Sequence, residues 1–303
     1  MENIIDISHL NKSYGAVQAV CDLSFRVKQG ELFAFLGVNG AGKSTTISMI
    51  CGELKKDSGS ISVCGHDVEK HAAQISQKIG VVFQSSALDA QLSARDNLRS
   101  RAALYGITGK AFDQRFAALS ELLDFSDFAD RPLLKLSGGQ KRRIDIARAL
   151  VHEPEILILD EPTTGLDPQT RKLLWDVIER LRRERGMTVF LTTHYMEEAA
   201  DADYVVIIDS GRIVAEGSPL ELKNKYAGDY ISFYGVAEEK IAALGFPYQT
   251  LRDGFRVSVP NTGCVTELIL SHAELFRDFE VIKGKMDDVF LTVTGKSLPG
   301  GAK

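Results

Sequence analysis

The sequence predicts an α/β protein with a parallel-sheet core, an inserted helical segment and a small α+β unit near its C-terminus. Three observations support this prediction. Short apolar runs recur along the chain, as is typical of parallel strands buried on both faces. A strand, a glycine-rich loop and a helix follow one another early in the chain, which is a common opening of an α/β domain. The length of 303 residues also suits about two domains.

The first part of the chain is expected to form strands, followed by the glycine loop and its helix. Leu23, Phe25 and Val27 alternate with polar residues, which is the period of a half-buried strand. An apolar strand over 31–36 leads into the loop, and a helix is predicted over about 43–51. Further buried strands are predicted over 79–83, 156–159, 187–191 and 204–208.

A long, mostly helical stretch over about 94–151 separates two of these strands. It is too long for a simple crossover between neighbouring parallel strands. We therefore predict a helical subdomain, at about 86–154, inserted into a sheet domain that covers 1–220.

A smaller unit is predicted after this sheet domain. Residues 221–228 are expected to be a linker and 229–303 an accessory domain. The predicted elements are a strand (230–234), a helix (238–244), a hairpin that turns at Asp253-Gly254, a helix (265–276) and a strand (279–282). This order matches the β-α-β-β-α-β unit of a ferredoxin-like fold, and a final helix over 286–293 would close the chain.

Composition argues against several classes of protein. Apolar residues make up 44% and charged residues 25%, which is ordinary globular usage. The net charge of −5 gives no sign of a nucleic-acid partner, and the basic clusters at 141–143 and 180–185 are expected to be solvated helix faces. The four cysteines contain no CxxC pair, so we expect reduced thiols in a cytosolic protein. No apolar run exceeds five residues, so any membrane role must come through a partner.

The glycine-rich loop matches the phosphate-binding pattern GxxxxGK[ST]. Its glycines let backbone N–H groups point at phosphate oxygens, Lys43 supplies a mobile positive charge, and Ser44 offers a hydroxyl to Mg²⁺. The following helix adds its positive N-terminal end. The candidate nucleotide-binding residues here are Gly37, Val38, Asn39, Gly40, Ala41, Gly42, Lys43, Ser44 and Thr45.

A second motif, Leu136-Ser137-Gly138-Gly139-Gln140, precedes a helix with one apolar face. Ser137 and Gln140 have the spacing of a capping box, so the segment could merely start that helix. A cap does not require two consecutive glycines, however, and glycine costs up to about 1 kcal/mol in a helix. The bare N–H groups instead favour a second anion-binding surface.

Polar residues follow three of the predicted strands. Ligands of open α/β sheets lie beyond the carboxyl ends of the strands, which is where Asp160 and Glu161 emerge. Adjacent side chains on an extended segment point different ways, so Asp160 can face Mg²⁺ and Glu161 the attacking water. A solvated acidic turn is the alternative. Gln84 and His194 also follow strands, although either alone could be an ordinary loop residue.

Together with Thr164-Gly165-Leu166-Asp167, these motifs resemble, over about residues 1–220, the ATP-binding subunits of ABC transporters. The segments VVFQSSALDAQLSARDNLRSRAALYG, GQKRRIDIARALVHEPEILILDEPTTGLDPQTRKLLW and TTHYMEEA resemble the bacterial drug-resistance and multidrug-export branch. The ending DDVFLTVTG, over 287–295, resembles the C-terminal tail of that branch. The resemblance implies a P-loop ATPase domain with a parallel-sheet core, an antiparallel β subdomain and an inserted helical subdomain.

The resemblance also implies roles for single residues in binding ATP and Mg²⁺. Tyr14 would stack on adenine, although a turn tyrosine is the alternative, and Lys43 would contact the β- and γ-phosphates. Ser44, Gln84 and Asp160 would hold Mg²⁺ directly or through water.

By the same resemblance, Glu161 would polarise the attacking water and His194 would contact the γ-phosphate. The candidate catalytic residues are thus Glu161, His194, Gln84 and Lys43. Ser137, Gly138, Gly139 and Gln140 would bind the ATP of a second subunit, and Asp167 would reach across the interface. One phosphate loop and one such motif per chain imply a head-to-tail pair, as a homodimer or with a related ATPase subunit.

The partner implied by the resemblance is an integral membrane permease, reached through the groove near 84–91, with the chain peripheral on the cytoplasmic face. The transported substrate would be drug-like or lipid-like. A soluble ATPase of the same superfamily, acting as a mechanical switch on DNA or ribosomes, is an alternative. A coiled-coil insertion or a second cassette would favour it, and the chain has neither. An ATP sensor without turnover is a further alternative, against which the intact Glu161 and His194 argue.

Overall fold

The structure is a computed structural model that describes residues 2–295. Its strands are β1 (Asn3–Tyr14), β2 (Val17–Lys28), β3 (Leu32–Leu36), β4 (Ser58–Val63), β5 (His66–Asp67), β6 (Ile79–Val82), β7 (Ile156–Asp160), β8 (Thr188–Thr193), β9 (Tyr204–Asp209), β10 (Arg212–Gly217), β11 (Asp229–Tyr234), β12 (Tyr248–Thr250), β13 (Gly254–Val259) and β14 (Phe279–Lys283). Its helices are α1 (Lys43–Ile50), α2 (Ala72–Ser76), α3 (Ala94–Ala103), α4 (Gly109–Leu122), α5 (Gly138–Leu150), α6 (Pro168–Arg185), α7 (Met196–Ala200), α8 (Pro219–Tyr226), α9 (Glu238–Ala242), α10 (Thr262–Ser271) and α11 (Met286–Thr294).

The central sheet has the strand order β10-β9-β3-β8-β7-β6. Strands β9, β3, β8, β7 and β6 are parallel, and β10 pairs antiparallel with β9 at one edge. Every residue of β3, β7 and β8 is buried, as expected for a parallel sheet that is covered on both faces. The predicted α/β class with a parallel-sheet core is confirmed. The loops that follow β3, β6, β7 and β8 lie at the same edge of this sheet.

A second, antiparallel sheet has the order β2-β1-β4-β5 and packs against the first through aromatic rings. The ring centroid of Phe25 in β2 lies 5.3 Å from that of Phe33 and 5.2 Å from that of Phe35, both in β3. The predicted alternation in β2 is confirmed, because Leu23, Phe25 and Val27 are buried and their polar neighbours are exposed. The structure therefore contains the antiparallel β subdomain that the resemblance implies.

The inserted helical segment lies between β6 and β7 and contains α3, α4 and α5. Phe112, Phe116 and Phe125 pack together in its interior. The predicted stretch of 94–151 agrees within a residue with the start of α3 and the end of α5. This segment presents the N-terminus of α5, and with it the motif at 137–140, on the surface of the molecule.

Polar side chains along α5 close the outer edge of β6. Arg148 donates a hydrogen bond to Val81 O at 3.0 Å, and Nε2 of His152, just beyond α5, donates to Ile79 O at 3.1 Å. The His152 ring stacks on Tyr105 with a centroid distance of 4.0 Å. An edge strand covered in this way does not offer its backbone for pairing with another chain.

The burial of His152 gives a pH-dependent contribution to stability. Burial lowers the pKa of the His152 ring to about 4, whereas an unfolded chain binds this proton near pH 6.5. The free energy of unfolding should therefore fall as the pH drops from 6.5 towards 4, by about 1–2 kcal/mol after a discount for the partial exposure of the ring. Thermal unfolding measured across this range should show the loss. His152→Gln, which keeps a donor for Ile79 O, should flatten that part of the curve, and an unaltered curve would contradict the assignment.

The C-terminal sheet has the order β12-β13-β11-β14 and is antiparallel throughout. Helices α9 and α10 contribute apolar residues to the core on one of its faces. The order of the elements is the predicted β-α-β-β-α-β. Helix α10 covers Thr262–Ser271 rather than the predicted 265–276, because Asn261 caps its start and the backbone leaves the helical conformation at His272. Phe276 then packs edge-on against Phe233, with ring centroids 5.0 Å apart.

The last helix, α11, packs against α7, α8 and β10 rather than staying with the C-terminal sheet. Met286, Val289 and Phe290 are buried in the core that contains β3 and α5, and their spacing places them on one helix face. The predicted boundaries at 220, 228 and 303 remain predictions, and residues 296–303 lie outside the described range. Within residues 2–295, no helix combines the length and the apolar composition needed to cross a bilayer.

Candidate functional site

The phosphate loop joins β3 to α1, and two of its glycines differ in what surrounds them. Gly40 and Gly42 have φ values of 82° and 107°, which residues with a side chain rarely adopt. A Cβ atom on Gly42 would lie 2.4 Å from Ala19 O, whereas one on Gly40 would meet no described atom within 4 Å. Packing therefore requires glycine at 42, and the backbone at Gly40 is open to a ligand. Asn39, Gly40 and Ser44 are exposed on this loop, whereas Ala41 is buried.

Lys43 begins α1, and its ammonium group lies inside the loop. Nζ donates hydrogen bonds to Gly37 O at 2.7 Å and to Val38 O at 3.3 Å. The side chain is only 5% exposed. A buried cation beside the N-terminus of a helix is well placed to bind phosphate oxygens.

Glu161 brings the candidate catalytic residues together. Its Oε1 lies 3.2 Å from Lys43 Nζ, and its Oε2 lies 3.3 Å from His194 Nδ1. Gln84 Nε2 donates to the same Oε2 at 3.4 Å. The structure therefore places these four residues in one contact group, with Gln84, Glu161 and His194 at the carboxyl ends of β6, β7 and β8 and Lys43 in the loop after β3. Their catalytic roles remain predictions.

Ser44, Gln84 and Asp160 line one open cleft beside this group. Asp160 is buried, and its Oδ1 accepts a hydrogen bond of 2.5 Å from Thr192 Oγ1. A hydroxyl, an amide oxygen and a carboxylate are the hard oxygen donors that Mg²⁺ prefers. The donor set therefore fits Mg²⁺.

The motif at 137–140 forms the capping box that its spacing allows. Gln140 N donates to Ser137 Oγ at 3.2 Å, and Ser137 N donates to Gln140 Oε1 at 2.9 Å. The two glycines differ, because a Cβ on Gly139 would lie 2.6 Å from Thr170 Oγ1, whereas one on Gly138 would meet no described atom within 4 Å. Packing against α6 accounts for Gly139, and the cap accounts for Ser137. Neither accounts for Gly138, whose exposed backbone remains available to an anion.

Asp167 lies next to this motif. It caps α6, and its carboxylate accepts hydrogen bonds from Thr170 N at 2.9 Å and Thr170 Oγ1 at 2.6 Å. The hydroxyl bond in particular lowers the pKa of the Asp167 carboxyl. A Cβ on Gly139 would lie 3.3 Å from Asp167 Oδ2, so Asp167 and the motif form a second group of candidate residues. Tyr14 is separate, at the end of β1, and is half exposed.

Two buried charged residues beside the site, Arg142 and Glu198, were not predicted from the sequence. The expectation that 141–143 is a solvated face is wrong for Arg142, which is buried and donates to the main chain around Glu161. The sequence contained an indication of this contact. Arg142, Asp145, Arg148 and His152 have the spacing of one helix face, which could have been recognised as a polar face that packs against the sheet.

Glu198 is the second missed residue. Its carboxylate accepts a hydrogen bond of 2.5 Å from Thr193 Oγ1 and another from the Thr163 hydroxyl. Burial raises the pKa of Glu198 in spite of these bonds. The residue ties the segment before His194 to the loop after Glu161, and nothing in its local sequence distinguishes it from the exposed Glu197.

Sequence comparisons show which proteins this chain is similar to. A family model described as ABC transporter matches residues 20–164. The Nod factor export ATP-binding protein I of Ralstonia nicotianae is 35% identical over an alignment of 308 positions, which covers 97% of this chain and 95% of that protein. The linearmycin resistance ATP-binding protein LnrL of Bacillus subtilis is 37% identical over an alignment of 311 positions, which covers 97% of this chain and 99% of that protein.

Solved structures with the same fold include ATP-binding cassettes. The cbiO1 protein of Clostridium perfringens, part of the ABC transporter complex cbiONQ, is 30% identical with a TM-score of 0.67, covering 73% of this chain and 91% of that chain. A dimeric ATP-binding cassette in a post-hydrolysis state, bound to ADP and Pi, is 26% identical with a TM-score of 0.67, covering 71% and 98%, respectively.

Proposed function

Because this chain belongs to the ABC transporter family and is an ATP-binding subunit, we propose that two such subunits close head-to-tail around ATP and thereby drive a membrane permease. The observation that carries the proposal is the division of the candidate residues into two groups. Lys43, Gln84, Glu161 and His194 form one group, and the motif at 137–140 forms the other with Asp167. Each chain has one copy of each group, so a two-fold pair would complete two composite sites.

In this proposal the phosphate loop holds the ATP phosphates, with Lys43 on the β- and γ-phosphate oxygens and Tyr14 stacked on the adenine ring. Ser44, Gln84 and Asp160 would hold Mg²⁺, which neutralises phosphate charge when bound. Gly138 of the opposite subunit would offer its bare N–H group to the γ-phosphate. The closed pair then persists only while that phosphate remains.

Glu161 would act on the attacking water. Its Oε1 now lies 3.2 Å from Lys43 Nζ, so phosphate oxygens that bind Lys43 would compete with this contact. The released carboxylate can then orient a water molecule and accept its proton. His194, 3.3 Å from Oε2, would contact the γ-phosphate beside that water.

The permease would bind at the groove near 84–91, so closure and reopening of the pair would change its conformation. Two of the relatives are named for Nod factor export and linearmycin resistance, which supports an export role with a drug-like or lipid-like substrate. The chain would then lie on the cytoplasmic face of the membrane, bound to its permease and not to nucleic acid.

Dimerisation on ATP tests the proposal. A Glu161→Gln chain should form a dimer in saturating Mg-ATP and a monomer without nucleotide, as measured by light scattering after gel filtration. The matched control adds Gly138→Asp, which has room in the fold and places a negative charge where the partner's γ-phosphate would bind. This double variant should stay monomeric. A Glu161→Gln chain that remains monomeric in Mg-ATP, even when co-expressed with its permease, would contradict the proposal.

A further inference from the structure

Arg142, in the first turns of α5, is a buried cation with hydrogen bonds to main-chain carbonyls. Nε donates to Pro162 O at 2.8 Å, and Nη1 donates to Phe83 O at 2.7 Å. Nη2 donates to Asp160 O and Glu161 O, both at 3.4 Å. The side chain is only 8% exposed. One guanidinium thus joins the end of β6 to the end of β7.

The backbone at Glu161 has a conformation that needs support. Its φ is 46°, in the left-handed region that residues with a side chain rarely adopt. Such conformations persist only where the surrounding structure holds them, and they often occur at functional sites. Thr192 holds the amino side, because Glu161 N donates to Thr192 O at 3.1 Å and to Thr192 Oγ1 at 3.2 Å. Arg142 binds the carbonyls on both sides of the Glu161 Cα atom.

The same guanidinium also fixes the neighbouring strand end. Phe83 O, which accepts from Nη1, belongs to the peptide group that carries the N–H of Gln84. Arginine can serve both strand ends at once because its donors form a rigid, planar fork. Lysine has a single nitrogen on a flexible stem and cannot reproduce this geometry.

We propose that Arg142 is a positioning residue that holds Glu161 in its left-handed conformation and keeps Gln84 aligned with it. The proposal rests on the proposed function, in which Glu161 orients the attacking water. Arg142 itself touches neither the water nor the phosphates. Its effect on hydrolysis passes through the backbone of Glu161, which orients the water, and of Gln84, which holds Mg²⁺.

The first test separates turnover from binding. Arg142→Lys should lower kcat for ATP hydrolysis at least about tenfold, since small displacements of a catalytic group cost that much or more. The KM and the ATP dissociation constant should stay within about threefold of wild type, because the loop around Lys43 is untouched. Arg143→Lys is the matched control, since Arg143 lies next in sequence but donates to Asp124 O at 2.7 Å, away from the site. This control should leave kcat unchanged.

The second test concerns the backbone at position 161. Arg142→Lys should lower the melting temperature of the wild-type chain and of a Glu161→Gln chain by similar amounts, because both keep a side chain at this position. In a Glu161→Gly chain the loss should be roughly half as large or less, because glycine adopts a positive φ without strain. A general loss of packing would lower the melting temperature equally in all three chains.

Either of two results overturns the proposal: a wild-type kcat in Arg142→Lys, or equal losses of melting temperature in the Glu161→Gln and Glu161→Gly chains. If Glu161→Gln hydrolyses ATP normally, the catalytic role proposed for Glu161 fails, and the comparison of melting temperatures still decides whether Arg142 holds that residue. If Arg142→Lys does not fold, Arg142→Gln is measured in its place, with the same results expected.

Discussion

Replacement of Glu161 by glutamine should lower kcat for ATP hydrolysis by about 100-fold or more while ATP binding is retained. Glutamine keeps the size of the side chain but cannot accept a proton from the attacking water. Its amide can still lie near Lys43 and His194, which now contact the two carboxylate oxygens. Phosphate release under saturating Mg-ATP measures kcat, and titration with a fluorescent ATP analogue measures binding.

Glu184→Gln is the matched control for this experiment. Glu184 is exposed on α6 and pairs with Arg180 one turn away, so its loss should leave hydrolysis unchanged. A Glu161→Gln chain with near-normal steady-state hydrolysis would reject the proposed role. A chain that loses ATP binding as well as turnover would show that Glu161 shapes the phosphate loop rather than the chemical step.

Replacement of Lys43 by alanine should instead weaken ATP binding, by about tenfold to a hundredfold. A charge-assisted hydrogen bond contributes about 1.5–3 kcal/mol, which corresponds to this range of affinity. The substitution also leaves the buried Glu161 carboxylate without the cation 3.2 Å away, and this unpaired charge would repel the phosphates. Titration calorimetry with Mg-ATP measures the dissociation constant directly.

Lys110→Ala controls for the loss of a lysine, because Lys110 is exposed on α4 in the helical segment. Its ATP affinity should match that of the wild type. An unchanged ATP dissociation constant in Lys43→Ala would contradict the proposal that Lys43 binds the phosphates. It would also remove the basis for placing ATP in the loop.

The sequence predicted those site residues that belong to a recognisable motif or directly follow an apolar strand. Lys43 follows a recognisable loop, and Asp160, Gln84 and His194 each follow an apolar strand, so the shared edge of a parallel sheet brings them together. The element boundaries agree within one or two residues for most strands because apolar runs and glycines mark them clearly. Helix α10 agrees less well, since it covers Thr262–Ser271 against a prediction of 265–276, and the segment after it brings Phe276 against Phe233.

What the sequence did not predict depends on contacts between distant segments. Arg142 was expected in solvent because its cluster is basic, and its burial follows from carbonyls that lie about 20 and 59 positions away along the chain. The positive φ of Glu161 has no local cause either, since glutamate is not a residue that favours it. The apolar face of α11 is visible in the spacing of Met286, Val289 and Phe290, but not the surface that it covers.

The position of α11 bears on how this gene can be divided. The chain leaves the nucleotide-binding core, builds a separate sheet and then returns with α11 against α7, the helix that directly follows His194. The residues of the C-terminal sheet are therefore an insertion, along the chain, between α8 and α11 of the core. A stop codon anywhere before Met286 would remove more than an appendage, because it would leave the side of the core beside α7 and α8 without its cover. Deletion of β11 to β14 alone, with α11 joined to the end of α8, would remove the C-terminal sheet and keep this cover in place.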